Sequence, residues 1–348
     1  VKLFVRPANL PEERKRLTEL LSRNLPDVDH DHRYEWIYQE NPAGRGRAWF
    51  VCAGRDDEVI GAASVFPRFV WIDGQLALSA QVGDFAVEKS HRSLGPALML
   101  QKATLAPVDE GEFAFCYDCP PHDRGMATFQ RLGLSAVCRM SRHSRLISAD
   151  SAIRRRVPGG PMVQVPLAIA ANLWLRASAV ANRRPKGIEI EIHEGPFGAE
   201  FSSLDEELAK SEAGSLRGRR HADDLNWRFR RHPARAYRVV TARREGNLLG
   251  YAVYRCGREK ARLFDMASMS DPIHLALLRR VAEEARAENA SSIDLLTVSS
   301  TRDGSLAVRA GYAHREEAER VVTYASASGR ALLSRALHWN LRASDIMV

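Results

Sequence analysis

Residues 91–100 read HRSLGPALML, and the preceding stretch at 79–89, SAQVGDFAVEK, alternates like a strand. A strand that runs through a basic, glycine-containing turn into a helix N-terminus is a physical recipe for gripping an anion. Successive main-chain N–H groups of Arg92, Ser93, Leu94, Gly95 and Ala97 can point at phosphate oxygens. Gly95 lets the backbone approach, and Pro96 suits a first helical turn, where its missing N–H is not needed. The helix dipole contributes below about 1 kcal/mol at an exposed end. Arg92, with His91 or Lys89 beside it, adds charge-assisted bonds. Two carboxylates, Asp84 and Glu88, stand on the strand that leads in, on one face if it runs regularly. Asp84 could act there as a general base or hold a water; a strand-edge carboxylate paired with arginine is the plain alternative.

The segment CYDCPPH (116–122) contains a Cys-x-x-Cys and a nearby histidine. A structural zinc wants four ligands, and no second pair stands at usable spacing, so no metal is expected. Redox thiols usually open a helix, whereas Pro-Pro follows here. Cys116 has no visible His–Asp partner for covalent acyl transfer.

The elements that must position these groups recur along the chain. WIYQENPA (36–43) is echoed by WRFRRHPA (227–234), each followed by an alternating run and a glycine-led strand, VIGAASVF (59–66) and LLGYAVYR (248–255). Each half later shows a short helix ending at glycine, in FQRLGL (129–134) and AVRAGY (307–312). One fold is therefore used twice. The first half reads as strands at 2–6, 47–53, 58–71, 75–88, 112–118 and across 134–147. Helices fall at 10–24, 32–40, 94–106 and 123–132. The second half repeats that order from 187 to 326. This is an α/β layer fold, a mixed and mostly antiparallel sheet flanked by helices. The expected boundaries are 1–148, a linker at 149–186 and 187–348.

The 348 residues are 45% hydrophobic and 27% charged, enough for about two domains. Five cysteines, an odd number, fit a reducing cytoplasm. The N-terminal stretch shows no secretory apolar region, and no uninterrupted apolar run is long enough to span a bilayer. A net charge of +8 comes without aromatic-interleaved nucleic-acid motifs. It reads as a solvated basic surface, or as attraction to an anionic cofactor or membrane. RGRRHADDLNWRF (217–229) reads as a solvated helix face or as a surface that receives an anionic sugar nucleotide or headgroup. Residues 162–181 are apolar apart from a few polar interruptions. They form either a linker helix in a groove between domains or an interfacial helix meeting a membrane or a long acyl chain. The C-terminal ALLSRALHWNLRASDIMV is either a docking element or a membrane contact.

The stretch at 92–97 resembles the pyrophosphate loop of the GNAT acyltransferases, Arg/Gln-x-x-Gly-x-Gly/Ala after the fourth strand. Arg92, Gly95 and Ala97 match in register, DFAV sits where the cofactor-binding strand belongs, and FQRLGL matches a later segment of the family. The resemblance implies an acyl-CoA, acetyl or longer, as co-substrate. It also implies the pantetheine arm paired beside Phe85, Ala86 and Val87, and a thioester between two splayed central strands. It implies transfer of the acyl group to an amine. Where many members carry an acidic tyrosine this chain has Phe129, placed against the cofactor; Tyr117 is the substitute donor, with a water relay as the other route. The second copy, DMASMSDPIHLALL (265–278), lacks the glycine and puts Asp271 in the turn, so coenzyme binding is assigned to the first half.

The sequence thus reads as a cytoplasmic tandem N-acyltransferase acting on a primary amine of a small molecule, amino sugar or lipid. Peripheral contact with the inner membrane surface is an open alternative. Competing functions are a long-chain, sphingoid-type lipid-amine acyltransferase, an aminoacyl-tRNA-dependent transferase, and a non-catalytic binder of acyl-CoA or nucleic acid.

Overall fold

The computed structural model describes residues 2–54, 57–120, 123–179, 185–298 and 301–346. The first half runs β1 (Leu3–Pro7), α1 (Arg14–Asn24), α2 (His30–Tyr34) and a π turn (Glu35–Gln39). Then follow β2 (Arg47–Ala53), β3 (Glu58–Ile72), β4 (Gln75–Val87), α3 (Leu94–Asp109), β5 (Phe115–Asp118), α4 (Asp123–Arg131) and β6 (Ala136–Leu146). Helices α5 (Asp150–Arg156) and α6 (Gly160–Ala179) lead to the second half. That half runs β7 (Glu189–Ile192), α7 (Ala199–Ser211), β8 (Ser215–Gly218), α8 (Ala222–Leu225) and a π turn (Asn226–Arg230). It continues with β9 (Arg238–Arg244), β10 (Asn247–Cys256), β11 (Lys260–Ser268), α9 (Asp271–Ala287), β12 (Ser292–Val298), α10 (Arg302–Arg309) and β13 (Ala313–Ala325). The chain closes through α11 (Ala327–Leu333), β14 (His338–Trp339) and α12 (Ala343–Ile346).

Alternation in β2 shows how the sheet divides its two faces. Ala48, Phe50 and Cys52 pack with Leu17, Leu20 and Leu21 of α1. Trp49, Val51 and Ala53 pack with Leu100, Leu105 and Val108 of α3. A strand buried on both faces has no polar side to lose, hence the near-continuous apolar run.

The strand order is β1-β2-β3-β4-β5-β13-β6-β12-β11-β10-β9-β7. Read inward from either edge, the same succession of elements appears. At the centre, however, the last strands are exchanged. β13 pairs antiparallel with β5, Val322 opposite Asp118, while β6 pairs antiparallel with β12, Met140 opposite Val298. Each half therefore completes the other's sheet.

The exchange brings the two Trp-centred repeats together. Trp36 and Trp227 stack with ring centroids 4.6 Å apart. Each indole N–H donates to the other's carbonyl oxygen at 2.8 Å. Reciprocal bonds of this kind mark a local two-fold relation. Beside them lies a buried ionic cluster. Asp345 accepts from Arg68 at 2.9 Å and from Arg220 at 2.6 Å, and Arg220 also reaches Asp265 at 3.2 Å. Arg217 pairs with Asp205. The expectation of a solvated helix at 217–229 is thus corrected: Arg217 and Arg220 are fully buried, and β8 joins the sheet beside the far end of β3. Sequence reading missed this because Arg217 pairs with Asp205, outside the quoted stretch, and Arg220 with Asp265 and Asp345 across the fold. The C-terminal segment docks, with β14 parallel to β8 and α12 buried. Helix α6 lies against α5 through Ala168, Ala171 and Leu175, with Gln164 and Asn172 bonded along the same side, and its other described side chains as far as Trp174 are exposed. No helix among the described residues is long and apolar enough to cross a membrane.

Candidate functional site

Strand β4 carries the candidate site, and its pairing fails in two places. Opposite β3, Ala62 faces Ala86 but Ser64 faces Gly83, so Asp84 and Phe85 together occupy the position across from Ala63. This is a β-bulge. Asp84 takes φ 47°, in the left-handed region that aspartate tolerates better than most residues. The bulge resets the alternation. Phe85 and Val87 turn toward α3, while Asp84 turns toward α2 and the first π turn. There its Oδ1 accepts from Arg33 and its Oδ2 accepts from the Tyr38 hydroxyl at 2.8 Å. The Tyr38 oxygen also lies 2.7 Å from Ser64 Oγ. Burial, then the Asp84 charge, pushes Tyr38 well above the usual tyrosine range, so it stays a neutral donor.

On its other edge β4 runs parallel to β5, but only Ala80–Cys116 and Gln81–Tyr117 pair. From Val82 to Val87 no strand among the described residues covers that edge. The two central strands therefore part just beyond Gln81 and Tyr117. Main-chain groups of β4 along one side of the gap face no strand among the described residues.

The opened edge leads straight to the turn. Lys89–His91 makes one 3-10 turn and Ser93 precedes α3 in an extended conformation without capping it through its side chain. No acidic residue occupies the first turn of α3. Ser93, Leu94 and Gly95 are exposed, Pro96 is buried and Ala97 half-buried. A Cβ added to Gly95 would meet nothing within 4 Å. Arg92 braces the turn, donating to Val87 O at 3.0 Å and Asn24 Oδ1 at 2.9 Å. Glu88 accepts from Arg23 at 2.8 Å. Burial raises its pKa, but the bonds from Arg23 and Asn24 outweigh that and hold it below the usual carboxylate range.

The fold has counterparts among solved structures. A GCN5-related N-acetyltransferase from Anabaena variabilis superposes with a TM-score of 0.67 at 14% identity, over 92% of this chain and 72% of that one. The chain has the GNAT fold. A protein from Enterococcus faecalis described as a probable N-acyltransferase gives 0.66 at 12% identity, over 93% and 73%. N-myristoyltransferase from Saccharomyces cerevisiae, solved with myristoyl-CoA, gives 0.59 at 10% identity, over 92% and 82%. No protein-family model matches the sequence, and no curated protein does.

Within this GNAT fold the second half has the same outline but a filled interior. β11 and β12 pair from Lys260–Ser292 to Leu263–Leu295 and then part. Beyond that point Arg342 donates to Asp303 at 2.8 Å, with His274 and Thr297 alongside, leaving a cavity of about 20 Å³. Burial pushes His274 down to about 4, so it sits there neutral. At the start of α9, Asp271 already answers the helix N-terminus and pairs with Arg302 at 2.7 Å and Arg309 at 3.2 Å.

The structure gathers Asp84, Phe85, Ala86, Val87, Glu88 and the 92–97 turn along one edge. Tyr117 lies at the root of the gap, fully buried, its hydroxyl donating to Asp345 O at 2.8 Å; burial pushes it up to about 12. Phe129 is buried with Met126 and Val322. Burial pushes Cys116 up to about 12 as well. Sequence reading missed Arg33, Tyr38, Ser64 and Gln81. The Gln81 amide donates to Ile346 O at 2.9 Å, so α12 lies across the root of the gap. No local signal marks these four, since each is recruited by a partner at least 26 residues away.

Proposed function

We propose that this protein is an acyl-CoA-dependent N-acyltransferase whose first half binds the coenzyme. One observation carries the reading. The uncovered edge of β4 from Val82 to Val87 runs into an uncapped helix N-terminus at Ser93–Gly95. The diphosphate fits the amides of that turn, with Gly95 leaving the approach open. The pantetheine arm fits the edge as an added strand beside Phe85–Val87. The thioester then lies in the gap above Gln81 and Tyr117. The amine nitrogen attacks the thioester carbon, the C–N bond forms, the C–S bond breaks, and the nitrogen's proton ends on the thiolate.

The carboxylates divide the remaining work. Asp84, with both oxygens engaged by Arg33 and Tyr38, fixes the bulge that aims the β4 amides at the developing oxyanion, and a water in the gap takes the amine proton. Glu88, ionised beside Arg23, supports the turn. Tyr117 anchors α12 across the gap, and water returns the proton to sulfur. The acceptor side is read from a neighbouring cavity of about 480 Å³, lined by Arg235, Arg255, Lys260, Arg262, Asp294 and Ile346. His232 nearby is pushed down to about 4, first by burial and then by Arg235, Arg228, Arg33 and Arg255. A field of that sign favours an amine that carries its own anionic group.

Calorimetric titration with acetyl-, octanoyl- and palmitoyl-CoA tests the reading, followed by turnover against amines with and without an anionic group. Binding of at least one thioester, and a KM for the anionic acceptor that rises in Lys260→Glu, are expected. No heat with any thioester at millimolar concentration overturns it. A preference for palmitoyl-CoA would select the long-chain lipid-amine reading, which the exposed apolar face of α6 favours.

A further inference from the structure

Helix α6 is built the wrong way round for a water-facing helix. Gln164, Ala168, Ala171, Asn172 and Leu175 form one stripe at helical spacing, and that stripe faces the protein. Both of its amides are used there. Gln164 donates to Val157 O at 2.7 Å; Asn172 accepts from Ala149 N at 2.7 Å and donates to Asp150 at 3.2 Å. The outward face is apolar, with Met162 91% exposed, Trp174 70%, Leu173 59%, Ile169 57% and Val165 55%. Half of the large apolar side chains exposed among the described residues stand on this one helix. Scattered exposed apolar residues need no explanation, but a contiguous row does.

Charge identifies what covers it. Between Ser151 and Ile188 the sequence has seven Lys or Arg and no Asp or Glu. Arg154, Arg155 and Arg156 end α5, exposed, immediately before α6 begins. A second copy seated face to face would set like charges against like. An anionic lipid surface accepts both the apolar face and the cations. Twenty residues at 1.5 Å per residue make a helix about 30 Å long, but no helix among the described residues is apolar enough to span. A Trp on the outward face suits the headgroup boundary.

We propose that α6 lies in the plane of an anionic lipid surface, its outward face in the acyl boundary and Arg154–Arg156 on the headgroups. This binding does not rest on the acyltransferase reading, and it is measured without thioester.

The purified full chain is sedimented with vesicles of phosphatidylcholine alone and of phosphatidylcholine mixed with phosphatidylglycerol. Binding to the mixed vesicles alone is expected. A blue-shifted tryptophan emission on binding should disappear in Trp174→Phe. Leu173→Glu with Trp174→Glu should abolish binding while leaving the thermal midpoint unchanged, because neither side chain supports the core. Neutralising Arg154–Arg156 to glutamine should weaken binding at least roughly tenfold. Equal binding to neutral vesicles overturns the charge argument. No binding to either vesicle overturns the proposal. So does self-association in sedimentation velocity that Leu173→Glu abolishes, since the occupant is then a second copy.

Discussion

Replacing Gly95 by glutamate separates ligand binding from stability with opposite signs. The position points into open space and lies in the first turn of α3, so the new side chain meets no steric barrier. A carboxylate there completes the helix dipole, worth about 0.3–1 kcal/mol, and removes the glycine penalty of up to about 1 kcal/mol. The thermal midpoint should therefore stay level or rise by roughly 2 °C. A diphosphate on the same amides would meet the new charge at about 6 Å. Coulomb's law at an effective dielectric constant of about 20 gives about 2.8 kcal/mol per unit charge. Screening over a Debye length of about 8 Å halves this, and two phosphate charges bring the sum to about 2.6 kcal/mol. Calorimetry should therefore show acyl-CoA affinity falling roughly 80-fold, with Gly95→Ala within about threefold of wild type. Unchanged affinity in Gly95→Glu would refute the placement of the diphosphate. Lost affinity together with a midpoint several degrees lower would show that the turn had been deformed.

Asp84→Asn should lower kcat at least about tenfold while coenzyme affinity stays within about threefold, measured by steady-state kinetics and calorimetry. Trp227→Ala removes a stacked ring and a buried N–H donor at the two-fold contact and should cost about 3–5 kcal/mol in urea unfolding. Adding Trp36→Ala should cost clearly less than a second full increment, because the two rings share one contact. Stability should also fall with acidity in two stages. His274 is held at about 4 by burial, below its usual value of about 6.5, so the unfolded chain binds its proton first. That contribution is present above about pH 6.5 and is lost as pH falls to about 4. Glu13 is held at about 2, chiefly by its hydrogen bond from Arg6. Its contribution is present above about pH 4.3 and disappears as pH falls toward 2; Glu13→Gln should remove the later stage from the urea midpoint profile. In the second half, Asp271→Asn should leave acyl-CoA affinity unchanged, since the gap behind it is already filled.

Much of the first half was legible because its signals are local. The expected strands at 47–53, 58–71 and 75–88 lie within a residue of β2, β3 and β4, and the helix starting at Leu94 begins where Pro96 and the glycine turn require. The expected turn itself stands at the end of β4, exposed and uncapped. The regular course imagined for β4 failed at Asp84, where an extra residue makes a bulge and turns the carboxylate to Arg33 and Tyr38. Nothing in VGDFAV distinguishes a bulged strand from a straight one, since the register is set by the strand opposite.

The sequence by itself determined where strands and helices run, that an order of elements recurs along the chain, and that one turn in the first half is basic and glycine-containing while its echo carries a carboxylate. Each of these follows from side chains a few residues apart. Only the tertiary structure decided that β6 and β13 change places, that Arg217 and Arg220 are core residues, that the second gap is filled by Arg342, and that α6 shows its apolar face to the outside. Those outcomes depend on which distant partner neutralises a charge or covers a surface. Pairing across more than a hundred residues, as between Arg220 and Asp345, leaves no periodicity in the chain to read.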